Sequence, residues 1–212
     1  METRRLVPLA GIAFVALVLT VMGIGGGTPA SGAAAAEVAS FYDEHTMRQF
    51  IAAFVLAASA PFLVLFGVSL ARHRPGRDID GGSLWGHVVI GGSILAAGAI
   101  LVSALVRLAL VDGAEQEISP TALQALNALD GNTWIAFFSG LGVMMLGAAG
   151  ALLSTDNRRW PGWTAVVLGV ALFVPFADFF AMMLTAIWII VASVLLARRN
   201  TQSLDAIAPS IA

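Results

Sequence analysis

Eight side chains hold most of the chemistry that this sequence offers: Asp43, Glu44, His45, Arg48, Arg107, Asp130, Asn132 and Asp178. Each stands in or beside a long apolar run, where an ionisable group is costly and therefore informative. Arg107 lies about one turn short of the end of such a run and Asp178 at a turn within another. Both are expected at one depth on one side, where low dielectric strengthens their attraction and makes them a pair. The other six are expected to ring the same end of the bundle. That ring suits a polar pocket opening outward, able to hold a polar or amphiphilic small molecule. The plainer alternative is a structural ion pair, with the arginine stem carrying its charge to water.

Asp43-Glu44-His45 also offers an acid–base pair to a membrane enzyme. It does not suit a metal, because consecutive helical residues point about 100° apart and cannot converge on one ion. No H-E-x-x-H is present, and no metal or other cofactor is expected. The absence of cysteine removes thiolate catalysis, disulfides and Cys-ligated metals. Gly140-Leu141-Gly142 has neither the spacing nor the preceding strand of a dinucleotide fingerprint. His87 reads as an interfacial histidine and His73 as a solvated one.

These residues must be positioned by helices in lipid. The chain is 58% hydrophobic and 11% charged, too little charge to build a water-facing surface. The near-neutral balance of −2 argues against a nucleic-acid partner. All eleven basic residues are arginine, a bias pointing to a GC-rich bacterial source. The 212 residues hold one all-α transmembrane domain, 1–200, with spans near 6–24, 47–71, 85–111, 134–153, 163–176 and 179–197, then a short flexible tail, 201–212. The first run has a basic start and small residues after it, as a signal peptide does. At about nineteen residues it exceeds the usual apolar core of a signal and reads as a retained span. Pro61 is expected to kink the second.

The final apolar stretch, Trp163 to Ala197, is too long for one span and barely enough for two. Charge decides it. Arg4, Arg5, Arg72, Arg74, Arg77, Arg158, Arg159, Arg198 and Arg199 all flank ends on one side, whereas Glu37, Asp43, Glu44, Asp112, Glu115, Glu117 and Asp130 fall on the other. Positive charge marks the cytoplasmic side. Arginines at both ends of the stretch require a hairpin, turning at Pro175-Phe176-Ala177-Asp178, with two short arms. Six spans with both termini cytoplasmic follow, in a cell membrane. On the outer side, Ser119-Pro120 and the leucines at 123, 126 and 129 predict a short amphipathic helix with Ser119 as N-cap, lying along the membrane surface. Residues 33–46 predict a weaker one with Val38, Phe41 and Tyr42 inward.

Small residues at spacing four let membrane helices approach closely. Gly92/Ala96 and Ser93/Ala97 in the third span, and Gly147/Ala151 with Gly140, Gly142 and Gly150 in the fourth, predict packing seams. Trp85, Trp134, Trp160 and Trp163 sit at span ends, where indoles prefer head groups.

With Leu126-Asn-Ala-Leu-Asp130, the glycine-rich fourth span, Trp160-Pro-Gly-Trp163, and Trp188 followed by Ser193 and Arg198-Arg199, the chain resembles a broad set of bacterial, actinobacterial-type, six-helix integral membrane proteins of unknown function. The resemblance implies the span count and transfers no site. Three function classes stand open. One is a binding or accessory protein recognising a lipid or hydrophobic small molecule at the outer ring, with membrane lipids and a second copy of itself as partners. The others are a membrane enzyme acting on a lipid-like substrate and a small transporter working as an oligomer. The first is favoured, because no span carries paired carboxylates or histidines and none carries a charge near mid-membrane.

Overall fold

A computed structural model describes residues 7–72, 84–154 and 159–205, with side chains of the last helix described to Arg198. Arg4, Arg5, His73, Arg74, Arg77, Arg158 and residues 206–212 lie outside the described residues, as does the side chain of Arg199. Every described element is helical. A 3-10 turn, Val7–Leu9, leads into α1 (Ala10–Gly25), followed by α2 (Ala35–Glu44), α3 (Thr46–Arg72), α4 (Leu84–Glu115), α5 (Pro120–Asp130), α6 (Trp134–Leu153), α7 (Trp160–Ala171) and α8 (Asp178–Asp205). Five stretches are long and apolar enough to cross a membrane: Val7–Gly25, Thr46–Arg72, Leu84–Glu115, Pro120–Leu153, which joins α5 to α6, and Asp178–Arg198. The protein is therefore membrane-embedded by its helices.

α7 departs from the expectation of a 163–176 arm. Its twelve residues rise about 18 Å against about 30 Å of hydrocarbon. The break falls where the proline and aspartate stand, and α8 opens on Asp178. α8 then runs to Asp205, into the stretch expected to be a loose tail. Pro61 is accommodated within an unbroken α3.

The sequential antiparallel pairs α1/α3, α3/α4, α4/α6 and α6/α7 form the bundle, and α8 packs on the start of α1 and on α7. Its core includes Phe14, Leu63, Phe66, Met144, Met145, Trp188 and Ile189. The α4/α6 seam is the tightest. A Cβ on Gly92 would stand 2.7 Å from Met144 Cα and 2.9 Å from the Gly140 carbonyl, and one on Gly140 would stand 2.7 Å from Ala96 Cα. The neighbours are backbone, which has no rotamer to yield, so these sites take only glycine.

A second, smaller core lies beyond one end of the bundle, where Val38 and Tyr42 of α2 and Leu123 of α5 close over Val106, Leu110 and Val111 of α4. α2 and α5 thus form a cap on α4. Ser119 caps α5 by accepting from Ala122 N at 3.3 Å. The face α5 presents differs from the expected leucine stripe: Leu123 and Asn127 are buried and Leu129 is exposed. Asn127 Nδ2 donates to the Ala30 carbonyl at 2.9 Å, and Gln124 Nε2 to that of Ala33 at 2.8 Å. Two amides thereby hold the backbone between α1 and α2, which has no helix of its own to satisfy it.

Candidate functional site

α1 ends at Gly25, and Gly26 turns the chain away at φ +62°, a conformation that favours glycine. The last carbonyls of a helix lack intrahelical donors. Here the first turn of α3 supplies them. Arg48 lies against Gly26, where a Cβ would collide with its guanidinium, and donates from Nε to the Ile24 carbonyl. Gln49 Nε2 donates to the Gly25 carbonyl at 2.8 Å. α4 brings Arg107 to the same place, its Nη1 3.4 Å from where a Gly25 Cβ would stand.

From the far side, the α5–α6 corner delivers Asp130. The Thr133 hydroxyl donates to the Asp130 carbonyl at 2.8 Å and Asn132 Nδ2 to that of Ala128 at 2.7 Å, so the corner is tied to α5 by its own side chains. Arg107 Nη2 and Asp130 Oδ2 stand 3.9 Å apart, with side chains only 16% and 10% exposed. Tyr42 reaches in from α2 and is wholly buried. Burial pushes its phenol above the ordinary range; the Asp130 charge adds to this and Arg107 opposes it. Tyr42 therefore stays a neutral donor at physiological pH. Its hydroxyl, Gln49 Oε1 and Arg107 Nε are buried without partners among the described residues.

The expected ring of eight is thus divided. Arg48, Arg107 and Asp130 converge on the end of α1, with Asn132 at their edge. Asp43 and Glu44 are exposed on α2, and Asp43 lines a separate cleft of about 340 Å³ with Glu117 and Ser40. His45 is engaged locally: Nδ1 lies 2.9 Å from the Phe41 carbonyl, and the ring stacks on Phe41 at 4.7 Å. Among the described residues no three His, Asp or Glu side chains gather as a metal site.

Arg107 does not meet Asp178, contrary to the expected pairing. Phe173, in the α7–α8 turn, packs on Gly142, its Cε2 2.5 Å from where a Gly142 Cβ would stand. Arg107 lies eleven residues beyond Ala96, which faces Gly140; this puts it about 16 Å further along α4. Asp178 instead accepts from Phe179 N at 2.8 Å. The partner is Asp130 because the α5–α6 corner, unlike the hairpin, reaches the height of the cap.

Outside the corner, a groove of about 540 Å³ runs along the α4/α6 seam, lined by Leu95, Ala99, Val102, Leu129, Ala136 and Gly140, with the polar side chains of Asn132 and Thr133 at one end and of Ser139 further along. Sequence reasoning missed Tyr42 and Gln49 as polar members of the layer. Tyr42, the only tyrosine, reads in the sequence as one more inward residue of 33–46, and Gln49 as an uncharged neighbour of Arg48. A glutamine entering an apolar run is the signal that would have found it. No family model, curated protein or solved structure matches the chain.

Proposed function

We propose that this chain is a cell-membrane protein with six membrane helices (α1, α3, α4, α6, α7 and α8), both termini cytoplasmic, that binds an amphiphile in the α4/α6 groove with the polar end at the Asn132–Thr133 corner. The groove carries the proposal: its walls are mostly aliphatic, its volume suits an acyl tail or a drug-sized apolar molecule, and Asn132 and Thr133 stand at the end nearest the cap, while the Ser139 hydroxyl further along donates to the Ile135 carbonyl of its own helix. Arg107 and Asp130 lie just behind that corner, so the polar end of a ligand is held where charge is already concentrated. The role is recognition rather than catalysis: His45 turns its Nδ1 to the Phe41 carbonyl of the preceding helix, and Asp178 accepts from Phe179 N at the start of its own helix.

The topology rests on Arg72 closing α3, Arg159 preceding α7 and Arg198 on α8, together with the arginines of the sequence that share their side. α7 is too short to cross unaided, yet a hairpin of α7 and α8 returns the chain to the side it left. A fluorescent protein fused after Ala212 is expected to fluoresce in the cytoplasm, and an alkaline phosphatase fused there to be inactive; active phosphatase would overturn the orientation.

Binding is tested at Ala136, an exposed residue of the groove wall. In Ala136→Trp the indole fills the groove without entering the core. The variant is expected to keep the melting temperature of the parent in detergent while losing a co-purifying or added fluorescent fatty-acyl probe. Undiminished probe binding would remove the groove from consideration.

A further inference from the structure

Around the end of α1, three buried side chains keep a polar atom without a hydrogen-bond partner among the described residues, and the Asp130 carboxylate stands beside them. Tyr42 and Gln49 are fully buried, and neither the Tyr42 hydroxyl nor Gln49 Oε1 finds a partner among the described residues. Arg107 Nε is buried and likewise unpartnered. The 3.9 Å between Arg107 and Asp130 is a charge contact longer than a hydrogen bond. Gly25 joins the group: Gln49 holds its carbonyl, and Arg107 Nη1 lies over its Cα. Buried polar groups left unpaired are costly, so their occurrence together indicates a site.

The chemistry of the missing partner follows from what is spare. Arg107 Nε and the Tyr42 hydroxyl offer donors; Gln49 Oε1 and the Asp130 carboxylate offer acceptors. The formal charges cancel. An anion on Arg107 would face the Asp130 carboxylate and the Gln49 oxygen, a cation would face the guanidinium, and a zwitterion would have to part the two charges. A hydroxyl donates and accepts at once, and adjacent hydroxyls bridge such a set without adding charge.

We infer that the layer formed by Tyr42, Gln49, Arg107 and Asp130 binds a neutral polyhydroxylated group, either the sugar head of a glycolipid or a free polyol. The lipid source rests on the groove proposed above, whose polar end adjoins Asp130 through the α5–α6 corner.

The test uses the full chain in phosphatidylcholine nanodiscs doped with monoglucosyl diacylglycerol, plain diacylglycerol or phosphatidylserine, with retained lipid counted by native mass spectrometry. The glucosyl lipid is expected to be retained about tenfold over the other two, the worth of roughly one good hydrogen bond beyond the tail. Tyr42→Phe removes only a hydroxyl that has no partner among the described residues, so the fold is kept, and it is expected to cut that preference about tenfold. Gln49→Leu, with its melting temperature measured beside it, is the second variant. Methyl glucoside that raises the melting temperature of the parent but not of Tyr42→Phe assigns the site to free polyols as well; glucosyl lipid retention without that shift assigns it to glycolipids. Equal retention of all three lipids with no methyl glucoside shift means water alone fills the layer, and preference for phosphatidylserine means an anion site; either overturns the inference. Plain diacylglycerol still lost in Ala136→Trp would then leave the groove standing. Methyl glucoside stabilisation with no lipid retained would sink the groove and keep the layer.

Discussion

Gly140→Ala is expected to unfold the bundle or lower its stability by about 3 kcal/mol, at the upper end of the usual cost of overpacking. The added methyl would stand 2.7 Å from Ala96 Cα, and Gly92→Ala meets Met144 and the Gly140 carbonyl in the same way. In both cases the obstacle is main chain, so relief requires α4 and α6 to separate, and with them the two walls of the groove. Gly98→Ala is the control. It lies on the same helix with nothing within 4 Å of its Cβ and is expected to be neutral or to stabilise by up to about 1 kcal/mol. Thermal melting of the three variants in one detergent decides the matter; equal losses at Gly98 and Gly140 would mean that helix propensity rather than interhelical distance is being read.

The second large effect is expected at the Arg107–Asp130 contact. Asp130→Ala leaves a mostly buried guanidinium without its counter-charge and is expected to cost about 2 kcal/mol, below the range for a fully buried pair because both groups retain some contact with solvent. Arg107→Ala costs a similar amount by the reverse logic. Arg107→Met combined with Asp130→Leu, which removes both charges and refills the volume, is expected to cost less than the sum of the two single variants. Additive losses would show that the charges do not interact. If Arg107→Ala melts as the parent does but no longer holds the amphiphile, the contact serves the ligand and not the fold.

Helices were largely legible because lipid demands them: the apolar runs at 46–72, 84–115 and 134–153 leave little choice. The seam at Gly92 and Gly140 was legible for the same reason, since small residues at spacing four have one main use between membrane helices. Ser119 announced the start of α5 through local chemistry alone. The partner of Arg107 was not legible. Its choice between Asp130 and Asp178 depends on relative heights, which are set by how far α7 climbs, and nothing in an apolar run states where a twelve-residue helix stops against Gly142. Asn127 was obscured by the leucines beside it, because its role is to satisfy the distant carbonyls of Pro29 and Ala30. Tyr42 and Gln49 were hidden in a similar way: their significance lies in what they leave unbonded, and a sequence does not record that.

The shortness of α7 affects the surrounding lipid. α7 rises about 18 Å against about 30 Å for α6, and the turn after it carries Phe176, which is 94% exposed. A film of even thickness cannot match both sides at once. The acyl chains next to α7 must shorten or splay to reach the aromatic tip, at a cost of a fraction of a kcal/mol per ångström of misfit. That strained sector moves with the protein as it diffuses, and it biases the molecule toward thinner patches of bilayer and toward neighbours able to fill the dip.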